Sequence, residues 1–268
     1  MKKISENSNI ISATGIIGAV LQLILLFVMI QGIILILYYP AGYANLNSYL
    51  LPVSHSLGLF LVILFLIPSK PQIRTYFNYR KTPLSIYALV ILISITFVII
   101  LFPLLIKMSV IHNGMSNFKS TGLSIIIIYG IVLVPLLEEI LFRGMFLGDF
   151  IKLYSPIKAI LYSSILFALI HINPSQMLTA FLGGLFLGFV YYKTNNLLPC
   201  IVLHSVINGL SGILFKYCSP NSSYFSDNIL LYIIFYLVCL AALIISIIFV
   251  VKILSAVEVI KPENVQPV

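Results

Sequence analysis

A chain of 268 residues that is 61% hydrophobic and 8% charged, with a mean hydropathy of +1.14, is not an ordinary soluble domain, for which roughly half apolar and a quarter charged is usual. The excess of Leu, Ile, Val and Phe implies an all-α, polytopic membrane helix bundle embedded in a lipid bilayer. The formal net charge of +8 is no nucleic-acid footprint, because the basic residues fall in short loops that flank apolar runs.

The N-terminal "MKKISENSNIISATG" has the look of a secretory signal's charged region. The apolar stretch behind it, residues 14–39, is too long for a signal core and lacks a small-residue cleavage site, so a retained first transmembrane helix is expected. Further apolar runs place spans at 53–68, 84–106, 122–148, 156–171, 175–192, 197–215 and 229–253, which makes eight in all. The second and fifth are short. Charged, proline-flanked "PSKPQIRTYFNYRKTP" and the tight turn "INPS" separate neighbours, and the tail "KPENVQPV" is polar. Three regions result: helices one to three over 1–120, helices four to seven over 121–217, and the last helix with its tail over 218–268.

Eight spans put the N-terminus, the loops at 69–83, 149–155 and 193–196, and the C-terminus on one side of the membrane. That side carries Lys2, Lys3, Lys70, Arg74, Arg80, Lys81, Lys152, Lys158, Lys193, Lys252 and Lys261, against Lys107, Lys119 and Lys216 on the other. The asymmetry predicts cytoplasmic termini. Cys200, Cys218 and Cys239 sit in or at the ends of apolar segments without CxxC spacing, so free buried thiols are expected rather than disulfides or a zinc-thiolate site.

Few groups inside the spans can ionise: Glu138, Glu139 and Arg143 on helix four, His171 at the end of helix five, and His204 on helix seven. Such residues face a bundle interior and are functional candidates by default, since a charge in hydrocarbon costs a few kcal/mol or more. His55 and His112 fall at predicted loop edges and carry no assignment. Glu139 and Arg143 are one turn apart and can pair. Glu138 projects about 100° further around the helix and has no cation of its own, the setting of a general acid/base group. The structural alternative, in which both glutamates pair with Arg143 and hold helices together, stays open. On helix seven His204 and Asn208 share one face, as do Phe167 and His171 on helix five. Asn208 alone would serve equally well as interhelical glue. Gly184 and Gly188 form a GxxxG step on helix six, a device for close helix packing.

Several chemistries lack their residues. There is no HExxH and no GxSxG, and no pair of aspartates stands within two different spans. What remains is a carboxylate with histidines that polarises a water, directly or through a metal, with His204 and Asn208 able to donate to a developing oxyanion.

"EEILFR" at 138–143, "FALIH" at 167–171 and "HSVIN" at 204–208 stand in the order EExxxR, FxxxH, HxxxN. This pattern resembles the CPBP family of intramembrane proteases, which groups CAAX-type prenyl-protein endopeptidases with bacteriocin-processing and self-immunity proteins. The likeness spans about residues 120 to 215, with no departure at the motif positions. It implies a protease core over 121–217, with Glu138 as water-activating base assisted by His171, and His204 with Asn208 as the oxyanion-stabilising pair. It implies a supporting role for Glu139 and Arg143. Both metal-dependent and metal-free mechanisms are argued for the family; Glu138, His171 and His204 are the candidate ligands for Zn²⁺. The substrate would be a peptide or membrane protein, and the location a multi-pass position in a bacterial plasma membrane. Two alternatives remain: a self-immunity protein that binds without cleaving, and a proton-coupled transporter.

Overall fold

The computed structural model describes Met29 and residues 47–66, 82–111, 123–171, 174–217 and 229–255. Among these residues the regular structure is entirely helical. The chain forms α1 (Asn47–Leu66), α2 (Leu84–Ile111), a composite α3 over 123–153, α4 (Pro156–Leu169), α5 (Pro174–Thr194), α6 (Leu197–Tyr217) and α7 (Ile229–Ser255). Each coincides with a predicted apolar run. The first predicted span lies outside the described residues except for Met29, as do His112, Cys218, the tail and much of the 69–83 loop.

Leu84–Phe102, Gln176–Thr194 and Leu197–Leu214 are long and apolar enough to cross a membrane, and Val53–Leu64, Pro156–Leu169 and Leu237–Ile253 are shorter apolar stretches. The distribution of polarity is that of a protein in lipid. Arg143, Glu138 and Glu139 are fully buried, while Ile157, Leu161, Ile165 and Leu169 form an exposed apolar stripe at every fourth position of α4. Water would oppose that arrangement on both counts, by desolvating charge inside and by exposing a contiguous apolar patch outside. The chain is an integral membrane protein.

One expectation fails at α1. The predicted start at 53 left His55 at a loop edge, yet the helix begins at Asn47 and His55 lies well inside it. The polar residues and Pro52 ahead of position 53 read as a boundary in sequence, while the backbone is already helical from Asn47. His55, Leu59, Val62 and Leu66 recur at helical spacing, and the three apolar members are buried in the core.

α3 is not a uniform α-helix. It runs through a π segment (Ile126–Leu133), an α segment (Val134–Glu139), a second π segment (Ile140–Leu147) and a final α turn (Gly148–Leu153). Pro135 gives the first widening a cause: it has no N–H to donate and its ring crowds the carbonyl four residues back, and the π segment stops just before it. Neighbouring helices bond carbonyls in both π segments. Asn208 Nδ2 donates to Gly130 O at 3.2 Å, and Ser163 Oγ donates to Phe142 O at 3.0 Å.

The turn between α5 and α6 uses its two asparagines differently. Asn195 adopts φ +46°, the left-handed conformation that ends helices. Asn196 Oδ1 then accepts from Leu198 N–H at 2.9 Å, capping α6, while its Nδ2 donates to Thr82 Oγ1 at 3.0 Å. Pro156 opens α4 at its first turn, where a missing N–H costs nothing. Cys200 and Cys239 are free and buried.

α4 and α5 approach closely along glycine. A Cβ on Gly184 would lie 3.1 Å from Ser164 Cβ and 3.2 Å from Ser164 Cα, and one on Gly188 would lie 3.0 Å from Ile160 Cγ2. α2 packs on both α6 and α7, and the Ser94 hydroxyl is shared between Val90 O at 2.7 Å and Leu203 O of α6 at 3.2 Å. α1 packs on the first half of α3, from the π segment through Glu139.

Candidate functional site

The α segment Val134–Glu139 delivers two adjacent carboxylates to different partners, as their 100° separation on the helix requires. Glu139 Oε1 accepts from Arg143 Nη1 at 2.8 Å, one turn along, and also contacts His204 Nδ1 at 2.8 Å. A carboxylate can only accept, so this His204 nitrogen carries the proton. Arg143 reaches further, with Nη2 donating to Gly184 O at 3.3 Å and its Cζ 4.4 Å from the centroid of the Phe167 ring.

Glu138 is not the unmatched acid that its sequence suggests. Its Oε1 lies 2.8 Å from His55 Nε2, a partner from α1 that no motif announced. Its Oε2 stands 3.5 Å from His204 Nε2, beyond good hydrogen-bond range. Among the described residues that buried oxygen has no hydrogen-bond partner. One oxygen of Glu138 is therefore anchored and the other is left for a further group. A buried acceptor in that condition calls for an explanation.

His171 sits just past the end of α4. Its Nδ1 donates to Phe167 O at 2.8 Å, which fixes the proton on that nitrogen and leaves the Nε2 lone pair as the basic face. It stands within electrostatic reach of Glu138. Phe167 is the ring around which the site is built. His171 and His204 lie edge-on to it at 5.1 and 5.6 Å, Phe142 at 5.1 Å, and the guanidinium of Arg143 over its face. These are favourable arrangements for an aromatic quadrupole and a cation.

Asn208 is half-buried and engaged through one amide hydrogen with Gly130 O. Its NH₂ has a second hydrogen. The predicted site residues thus fall into two layers: Glu138, His171 and His204 surround one carboxylate, and Glu139, Arg143 and Gly184 lie behind His204. Among the described residues no three His, Cys, Asp or Glu side chains are grouped to hold a metal ion, while Glu138 Oε2, His171 Nε2 and His204 Nε2, the atoms a metal would take, lie outside the close hydrogen bonds of those side chains.

His55 was missed because the boundary of α1 was misread. With the helix begun at Asn47, it would have counted as a further histidine inside an apolar helix, and the same default of a functional role would have applied.

The fold and site define a helical integral membrane protein with a buried carboxylate–histidine centre. Comparison with known proteins falls on the same segment: residues 120–210 match the family described as type II CAAX prenyl endopeptidase Rce1-like. All three motifs lie within that stretch. The UPF0177 protein YxdF of Lactococcus lactis subsp. lactis (strain IL1403) is 37% identical over 86 residues, a stretch that covers 32% of this chain and 47% of that protein. The match thus spans about half the length of this relative. No solved structure matches the chain.

Proposed function

We propose that the protein is an intramembrane endopeptidase in which Glu138 activates a water for attack on a peptide carbonyl. The observation that carries this reading is Glu138 itself: Oε1 is bonded to His55, and Oε2, buried without a hydrogen-bond partner among the described residues, faces His204 Nε2 at 3.5 Å, whereas Glu139, whose Oε2 is also unpartnered, is already committed through Oε1 to Arg143 and His204. The match of residues 120–210 to an endopeptidase family supports it independently.

In the reaction, Glu138 Oε2 takes a proton from water as the water oxygen bonds to the carbonyl carbon. The carbonyl π electrons move to oxygen, giving a tetrahedral oxyanion. His204, held through Nδ1 by the Glu139 carboxylate, stabilises the oxyanion, and the second amide hydrogen of Asn208 assists. His171 Nε2 is the auxiliary base that orients the water. Glu138 then returns its proton to the leaving nitrogen as the C–N bond breaks. Arg143 and Glu139 keep His204 in place.

The charge asymmetry of the short loops supports cytoplasmic termini and eight spans in a bacterial plasma membrane, with peptide or membrane-protein substrates met near the cytoplasmic side. The test uses the full chain in lipid vesicles with a mixed set of membrane-anchored precursor peptides, read by mass spectrometry. Glu138→Gln and His171→Ala should abolish peptide release while the protein still inserts. Full release by both variants would overturn the proteolytic reading. A cellular immunity phenotype that survives both substitutions would point to a role by binding.

A further inference from the structure

His55 lies outside the segment that matches the endopeptidase family, yet it makes the close hydrogen bond to the acid at the centre of the site. Its place is not incidental to packing. α1 rests on the first half of α3, and the stripe of Leu59, Val62 and Leu66 seats that face in the core. This seating holds His55 against Glu138. The contact joins the N-terminal part of the chain to the catalytic part.

A glutamate has three side-chain torsions, and in a cavity it needs a donor to select one rotamer. His204 Nε2, at 3.5 Å from Oε2, is too distant to do so. His55 Nε2, at 2.8 Å from Oε1, is not. We infer that His55 is a positioning residue for Glu138, fixing Oε1 so that Oε2 points toward His204 and the scissile bond. The inference rests on the proteolytic reading of Glu138. It assigns a reaction-determining contact to a helix that carries none of the family motifs. The chemistry required of position 55 is an N–H donor at the reach of an imidazole Nε2. Gln presents such a donor, and Phe fills similar space without one.

The experiment compares His55→Phe and His55→Gln in the full chain, in vesicles, by peptide release. His55→Phe should lower kcat by about 100-fold with KM little changed, the cost of a misplaced reacting group. His55→Gln should recover turnover to within about ten-fold of the parent, because the donor is restored. Equal activity in the two variants, or full activity in His55→Phe, overturns the inference. A second readout is independent of turnover: thermal unfolding in detergent of His55→Phe, Glu138→Leu and the double variant. The two substitutions should be strongly non-additive, since each breaks the same bond; additive losses overturn the contact itself. A parent protein that releases no peptide overturns the proteolytic reading and the positioning role with it, and non-additivity would then show the pair to be structural.

Discussion

The Nδ1 nitrogen of His204 lies 2.8 Å from Oε1 of Glu139, on the same carboxylate oxygen that receives Arg143 Nη1. His204 thus bridges the two carboxylates, with one nitrogen on Glu139 and the other 3.5 Å from Glu138 Oε2. Glu139→Gln keeps an acceptor for Arg143 but replaces the carboxylate that orients the His204 ring with a neutral amide. Its kcat should drop by about 100-fold or more with the fold intact, measured by single-turnover peptide release. Parental turnover in this variant would show that His204 acts without its partner.

Arg143 has no exposed surface and touches three elements of the site. Arg143→Met leaves Glu139 buried with a single polar partner and should cost about 3–5 kcal/mol, the usual penalty for orphaning a buried charge. Arg143→Lys keeps the charge but loses the fork that spans Glu139 and Gly184 and the stacking on Phe167, so an intermediate loss is expected. Thermal unfolding of both variants in the same detergent gives the order. A lysine variant as stable as the parent would mean that charge alone matters at this position.

The glycine step of α5 makes a graded prediction. A Cβ at Gly184 meets the backbone Cα of Ser164 as well as its side chain, whereas at Gly188 it meets only side-chain atoms of Ile160, first the Cγ2 methyl. Gly183 has nothing within 4 Å of such an atom. Gly184→Ala should therefore destabilise by about 1–3 kcal/mol through overpacking, and Gly188→Ala by less. Gly183→Ala should be neutral or stabilising by up to about 1 kcal/mol from helix propensity. Gly184→Ala should also lower turnover, because the Gly184 carbonyl is a partner of Arg143. Equal effects at the three glycines would disprove the close packing of α4 on α5.

Much of this arrangement was legible in the sequence, and the reason is the economy of charge in a membrane chain. With seven acidic residues in 268, two adjacent glutamates in an apolar run stand out, and helical spacing alone pairs Glu139 with Arg143. The apolar runs also located the described helices to within a few residues at most ends. Partners across helices were not legible. Nothing local says that His204 bonds Glu139 while only approaching Glu138, or that Phe167 gathers two histidines and an arginine around one ring. The π segments of α3 were equally hidden, since they alter the register of a helix without altering its apolar pattern. His55 lay hidden at a misplaced boundary, and with it the anchor of Glu138.

Asn208 carries two separable duties. One amide hydrogen bonds Gly130 O at 3.2 Å, tying α6 to the first π segment. The proposed mechanism gives the other hydrogen to the oxyanion. Loss of the first alone should cost about 1 kcal/mol of stability, whereas loss of an oxyanion donor costs about 100- to 1,000-fold in kcat. Asn208→Ala removes both, so a large fall in turnover with a small fall in thermal stability is expected. The decisive comparison uses a peptide aldehyde, whose hydrate resembles the tetrahedral intermediate. Its affinity should weaken in Asn208→Ala by much more than that of the uncleaved peptide, since only the intermediate carries the oxyanion. If aldehyde and peptide weaken alike, Asn208 is a helix tie and the oxyanion rests on His204.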